Sequence, residues 1–309
     1  MPRNSLWDLT YRPYTLLKLK ILEKYLQAWA SIFFSTATRE RGWKKYQEMY
    51  YIDCFAGRGK YHKDGKKNII DGSPLISLKC ASEFQKKQKN KGVKMNCIFV
   101  EINKRLSGDI GKFCGPYTKR VDFEIHRQKD FNVVISQILD KIDGHPAFFF
   151  IDPDGIKGLK KESLKRIVAR RGPTDILLNY IKGGVERITG LTKKRIPNIL
   201  DQNLSVKDIK TIKVLTDFYG LEIFKNLDKT ERERLKDWTK SLLENTNLKQ
   251  IAVFNMPYLH KTDNIYYLLF ASRKIVAKKI MLNIFKNAKK ETYQKQKRLD
   301  IFNTDEFEL

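Results

Sequence analysis

Residues 50–61 read Tyr-Tyr-Ile-Asp-Cys-Phe-Ala-Gly-Arg-Gly-Lys-Tyr, a short apolar run that stops on an acid and enters a turn punctuated by two glycines. Few architectures accommodate this pattern. The run reads as a buried strand that delivers Asp53 to the C-terminal edge of a sheet, and Gly57 and Gly59 let the following backbone pass close to a small molecule. Paired glycines also make ordinary turns, so the weight lies in the strands that come after them. Strand-like runs at 97–101, 122–125 and 147–151 each end near a polar or acidic residue, as successive parallel strands would. A fifth strand is expected at 175–180. Residues 250–255 and 265–272, set around Pro257 and Asp263-Asn264, suit an antiparallel pair that closes the sheet. The fold class is therefore α/β, a Rossmann-like sheet of mostly parallel strands with an antiparallel closing strand.

The strand ends carry the candidate chemistry. Glu101 closes the second run and matches the acid that accepts hydrogen bonds from ribose hydroxyls in doubly wound nucleotide sites. Its distance from the glycine turn exceeds the usual ~20 residues, and the excess is accounted for by a Lys/Gly-rich loop at 61–71 and a helix that starts near Ser73. Ser73 reads as an N-cap with Pro74 in the first helical position. The fourth run delivers Asp152-Pro153 to the same edge. Proline fixes the backbone there, so that carboxylate and nearby carbonyls point outward at defined angles, a geometry suited to holding an amino group; Asp-Pro-Asp-Gly is equally a strong turn sequence.

Together, Tyr51-Ile-Asp-Cys-Phe-Ala-Gly-Arg-Gly-Lys-Tyr61, Asp71-Gly-Ser-Pro-Leu75, Phe99-Val-Glu101 and Phe150-Ile-Asp-Pro-Asp-Gly155 resemble the three-Cys-motif partner protein family, TcmP. Residues 18–26, 217–220 and 266–273 extend the resemblance over most of the chain. It implies the class I methyltransferase fold and S-adenosylmethionine as cofactor, bound by Asp53, Phe55, Gly57, Gly59 and Glu101, with Asp130 contacting the adenine amino group. From the geometry of the Asp-Pro turn itself, Asp152 and Pro153 are the residues expected to orient the acceptor. The Phe-Ala-Gly-x-Gly-x-Tyr pattern is more distantly similar to ribosomal RNA adenine-N6 methyltransferases, whose Asp-Pro-Pro-Tyr motif this chain matches only in Asp152-Pro153. Where the family carries Phe after Asp-Pro, this chain has Asp154. The missing aromatic favours an alternative, a non-catalytic nucleic-acid-binding or complex-assembly protein that keeps the methyltransferase fold, with a partner protein as a further candidate.

With 61 Lys+Arg against 35 Asp+Glu, the formal charge is +26, enough to draw polyanions. Nucleic acid is the expected partner, RNA ahead of DNA; a Lys-rich proteome is the bland explanation. Lys157, Lys160, Lys161, Lys165 and Arg166 follow Asp152-Pro153 and would flank the mouth of a cleft, where they could position phosphates. Other basic runs, at 85–94, 193–195 and 286–298, read as solvated helix faces.

No apolar run approaches the ~20 residues of a membrane span, and residues 1–14 lack the apolar core of a signal peptide, so a cytoplasmic protein is expected. Cys54, Cys80, Cys97 and Cys114 form no Cys-x-x-Cys pair, and the four histidines have no metal-ligand spacing, which argues against a metal site. Cys54 reads as a packing residue.

Four regions are expected. Residues 1–48 hold a helix packing on the core, with Leu19, Leu22, Leu26, Trp29 and Phe33 in an apolar stripe and Lys18 and Lys24 outside it. Residues 49–184 are the cofactor-binding core, ending in Tyr180 and a flexible Lys182-Gly-Gly184 turn. Residues 185–248 are a helical insertion for substrate recognition, and 249–309 hold the closing strands, a basic helix and an acidic tail.

Overall fold

The computed structural model describes residues 13–36, 46–63, 68–87, 92–194, 205–256 and 266–296. The acidic tail, most of residues 1–14, Pro257, His260, Asp263 and Asn264 lie outside them. Five strands run parallel: β1 (Glu48–Asp53), β4 (Lys94–Glu101), β5 (Phe123–Arg127), β6 (Ala147–Ile151) and β7 (Thr174–Ile181). β8 (Gln250–Asn255) and β9 (Tyr266–Ser272) complete the sheet, in the order β5-β4-β1-β6-β7-β9-β8. β9 lies antiparallel to both its neighbours. Numbered in chain order without the hairpin strands, this is 3-2-1-4-5-7-6 with the seventh strand reversed, the class I methyltransferase sheet. The order turns back at β1, between β4 and β6, and it is there that an open α/β sheet leaves a crevice beyond its strand ends.

The sheet is covered on both faces, which explains why its central strands are apolar runs without alternation. One face carries Tyr51, Phe99, Phe148 and Phe150 against α1 (Pro13–Thr36), α2 (Ser73–Lys87), α3 (Lys104–Cys114) and α9 (Ile275–Gln296). The other carries Tyr50, Ile52, Phe149 and Ile151 against α4 (Phe131–Lys141), α5 (Lys161–Ala169), α6 (Lys182–Lys193), α7 (Val206–Tyr219) and α8 (Glu231–Leu243). α1 is pinned to the sheet by its apolar stripe and by the Tyr25 hydroxyl, which donates to Asp175 of β7 at 2.6 Å. No helix among the described residues is long and apolar enough to cross a membrane.

Two local expectations are corrected. The segment read as a loop at 61–71 contains an antiparallel hairpin, β2 (Lys60–Lys63) and β3 (Asn68–Asp71). Tyr61 and Ile70 of the hairpin pack on the core, an anchor hidden by the surrounding lysines. Lys182-Gly-Gly184, read as a flexible turn, is the first turn of α6. A β-carbon on Gly184 would lie 3.3 Å from Ile181 Cγ2, so glycine there allows close packing. Tyr180, which as a lone tyrosine at a strand end reads as packing, is indeed buried, its hydroxyl bonded to that of Tyr219, beside the stacked rings of Phe218 and Trp238.

Candidate active site

The crevice is built from the C-terminal ends of β1, β4 and β6. After β1 the chain turns through Gly57 (φ 65°) and Gly59 (φ 85°), left-handed conformations in which glycine is the unstrained residue. The turn is held to the sheet by the Cys54 amide on the Phe150 carbonyl at 3.0 Å and the Ala56 amide on Val100 at 2.9 Å. Glu101 then locks it from the side. Its Oε2 accepts from the Gly57 amide at 2.8 Å and its Oε1 from the Asn103 amide at 2.7 Å, which orients the carboxylate beside the glycine turn. Burial raises the Glu101 pKa, and those two amides pull it down.

Asp53 has no solvent exposure. The Tyr51 hydroxyl donates to its Oδ2 at 3.2 Å, while Oδ1 has no hydrogen-bond partner among the described residues. Burial pushes its pKa up to about 7; Ser73 and the Phe55 amide pull it down and the charge of Asp152 adds to the rise. Ser73, expected as a helix cap, is buried and turned toward this carboxylate.

Asp152 sits beside Asp53 because β6 pairs with β1, Asp53 opposite Phe150. It is held from two directions. Lys18 of α1 reaches it with Nζ at 2.7 Å from Oδ1 and 2.5 Å from Oδ2, and Asn179 at the end of β7 donates Nδ2 to Oδ1 at 2.7 Å. The Asn179 carbonyl oxygen is buried and without a partner among the described residues. Lys18, expected outside the buried stripe, is thus a buried residue of the site, a position that periodicity alone could not reveal because its partner lies 134 residues away. Pro153 is buried behind the turn. Asp154 is exposed, its pKa raised first by burial and then by Asp152, with Lys18 opposing.

The other expected residues divide. Asp130 caps α4: its Oδ1 accepts from the Asn132 amide at 2.7 Å and from Asn132 Nδ2 at 2.8 Å. Asn132 in turn ties down the loop after Asp152, through the Gly158 carbonyl at 3.0 Å and the Lys160 amide at 3.1 Å. Phe55 packs on Phe131 with ring centroids 5.4 Å apart and lies close against Gly158, joining the same three loops. Lys157 and Lys160 are exposed next to this loop, whereas Lys165 and Arg166 lie a turn or more along α5, Arg166 bonded to Ser136 at 2.5 Å. Lys161 is corrected outright. It is buried, paired with Glu222 and bonded to Ser241 at 2.5 Å, so it fastens α5 to the outer helices rather than facing phosphate. Cys54 is also buried, as are the other three cysteines, all of them free thiols.

No family model matches the chain, and no curated protein does. Solved structures do. A Legionella pneumophila protein of family DUF519 is 11% identical over 85% of this chain and 90% of its own, with a TM-score of 0.44. The DszA carbon methyltransferase is 9% identical over 79% of this chain and 53% of its own, at 0.39, and geranyl diphosphate methyltransferase in complex with SAM is 9% identical over 80% and 85%, at 0.29. Likeness at this depth is similarity of sheet and says nothing of substrate.

Sequence reasoning passed over two residues at the crevice. Ile102, directly after Glu101 at the end of β4, and Val133, in the first turn of α4 that follows β5, are apolar side chains left 62% and 72% exposed.

Proposed function

We propose that this chain is an S-adenosylmethionine-dependent methyltransferase that acts on an amino group in nucleic acid, RNA ahead of DNA. The observation that carries the reading is the Asp53 carboxylate: wholly buried at the point where the strand order reverses, with one oxygen unpartnered, it suits a cationic ligand threaded past the glycine turn. The residues present fit S-adenosylmethionine. Glu101 would receive the ribose hydroxyls, Ile102 and Val133 the faces of the adenine, Asp130 its amino group, and Asp53 the cationic amino-acid end. Bound there, the cofactor supplies an electrophilic methyl group on sulfur.

The chain's own residues then have to present a nitrogen. Asp152 and the unpartnered Asn179 oxygen form a pair of acceptors at one edge, suited to the two hydrogens of an exocyclic amine. Holding those hydrogens leaves the nitrogen lone pair directed at the methyl group, and in-line positioning is most of what such a transfer requires. Exposed Lys157 and Lys160 flank this edge and would take the phosphates of the strand.

The test is calorimetry with S-adenosylmethionine, followed by transfer of labelled methyl to total RNA, DNA and protein. Binding together with labelled RNA is the expected result, and Asp152→Ala should abolish labelling while cofactor affinity stays within a fewfold of wild type. A second reading is favoured by one observation: Lys18 already occupies Asp152. If cofactor and RNA bind and no substrate is labelled, the chain is a binding protein that keeps the fold, and recruitment of a partner protein becomes its role.

A further inference from the structure

Between the glycine turn and α2 the chain makes a detour through the β2–β3 hairpin, whose two ends are stapled by the Gly72 amide on the Gly59 carbonyl at 2.7 Å and by the pairing of Lys60 with Asp71. The second residue of that hairpin is Tyr61. Its ring lies on Gly72, where an added β-carbon would come within 3.1 Å of Cε2, and its hydroxyl lies over Gly57, 3.5 Å from the position of a β-carbon there. Two glycines therefore make room for one tyrosine. Asp152, Asp53 and Glu101, at the ends of three different strands, all lie within electrostatic reach of the hydroxyl; burial first and these charges second raise its pKa against the opposing charge of Arg58, so it stays a neutral O–H donor. Among the described residues it makes no hydrogen bond.

A slot walled by three carboxylates suits the sulfonium and ammonium groups of S-adenosylmethionine but repels its one anionic group, the carboxylate of the amino-acid end. That group requires a donor. The amides of Cys54, Ala56 and Gly57 are committed to the sheet and to Glu101, the Lys18 ammonium to Asp152, and the Arg58 guanidinium, the other cation near the hydroxyl, faces Asp109 with Nε 3.6 Å from Oδ2. We propose that Tyr61 is a donor-binding residue of this site, its hydroxyl donating a hydrogen bond to the carboxylate of S-adenosylmethionine. The assignment rests on the reading of this crevice as an S-adenosylmethionine site, and makes the hairpin part of that site rather than a surface insertion.

Tyr61→Phe keeps the ring and removes the donor. Calorimetry on the full chain with three probes separates the outcomes. S-adenosylmethionine and S-adenosylhomocysteine both carry the carboxylate and should each bind roughly tenfold or more weaker to the variant, the loss expected of a hydrogen bond to a charged group. 5′-Methylthioadenosine lacks the amino-acid end and should bind both proteins alike, and the melting temperature without ligand should stay within a degree or two. Equal S-adenosylmethionine affinity in the two proteins overturns the assignment. So does a parallel loss for all three probes, which would mean that Tyr61 only shapes the slot. A wild type that binds none of the three at millimolar concentration overturns the cofactor reading itself.

Discussion

Asp53 is a carboxylate that the fold buries with one oxygen left without a partner among the described residues, so that binding a cation there and stability would pull against each other. With a pKa near 7 in the folded protein against 3.8 as the ordinary value, it holds a proton through most of the acidic range. A cationic ligand selects the ionised form. Affinity for S-adenosylmethionine should therefore strengthen as pH rises from 6 to 8 and level off above, and calorimetry in buffers of different ionisation heat should detect a proton released on binding at pH 6.5. The stability effect has the opposite sign. Because the folded pKa lies above the unfolded one, the contribution is full below about pH 4 and is lost as pH climbs through 7, by at most ~4 kcal/mol. Asp53→Asn should accordingly raise the melting temperature of the ligand-free protein at pH 8 and raise it by less than half as much at pH 5, while weakening cofactor binding; a lower melting temperature at pH 8 would contradict this account.

Among elements, the contact that most links distant parts of the chain is α1 against β6. Lys18 and Asp152 are both largely withdrawn from water, so removing either leaves a poorly solvated charge. Lys18→Met should lower stability by about 2–3 kcal/mol, and Lys18→Met combined with Asp152→Asn should recover part of it, a coupling that denaturant melts of the four proteins would measure. Lys161→Gln on α5 should likewise lower the melting temperature through its lost pairing with Glu222. These two lysines mark where the sequence stops being legible. β1, β4 and β6 announce themselves because strands covered on both faces need unbroken apolar runs, and their ends place Asp53, Glu101 and Asp152 on one edge. Lys18 and Lys161 do not, since a charge in a helical pattern reads as solvent-facing unless its remote partner is known. The hairpin is hidden for a related reason: Lys60, Lys63, Lys66 and Lys67 surround the two residues that anchor it, Tyr61 and Ile70, and no alternating pattern emerges.

At the level of the whole molecule, the charge of +26 is unevenly useful. Several of the 61 Lys+Arg are paired locally, as in Lys24–Glu291, Lys213–Asp217 and Lys229–Asp237, and add nothing to that excess. Lys157 and Lys160 stand exposed beside the crevice, so changing both to Gln should reduce the slope of log K against log salt for single-stranded RNA by about 0.7 per lysine, whereas Lys161→Gln should leave that slope unchanged. Filter binding across a salt series would show which lysines lie on the track. The reversed strand β9 has a consequence of another kind, in the time the chain takes to be made. β7 is buried along its whole length and ends at Ile181, yet the strand that seals its outer edge begins only at Tyr266. At 5–20 residues per second the ribosome needs roughly 4–17 s to cover that interval. Throughout it the growing protein displays an apolar strand with an open row of amides and carbonyls, and a message broken anywhere before the last strand yields a product with a sticky edge.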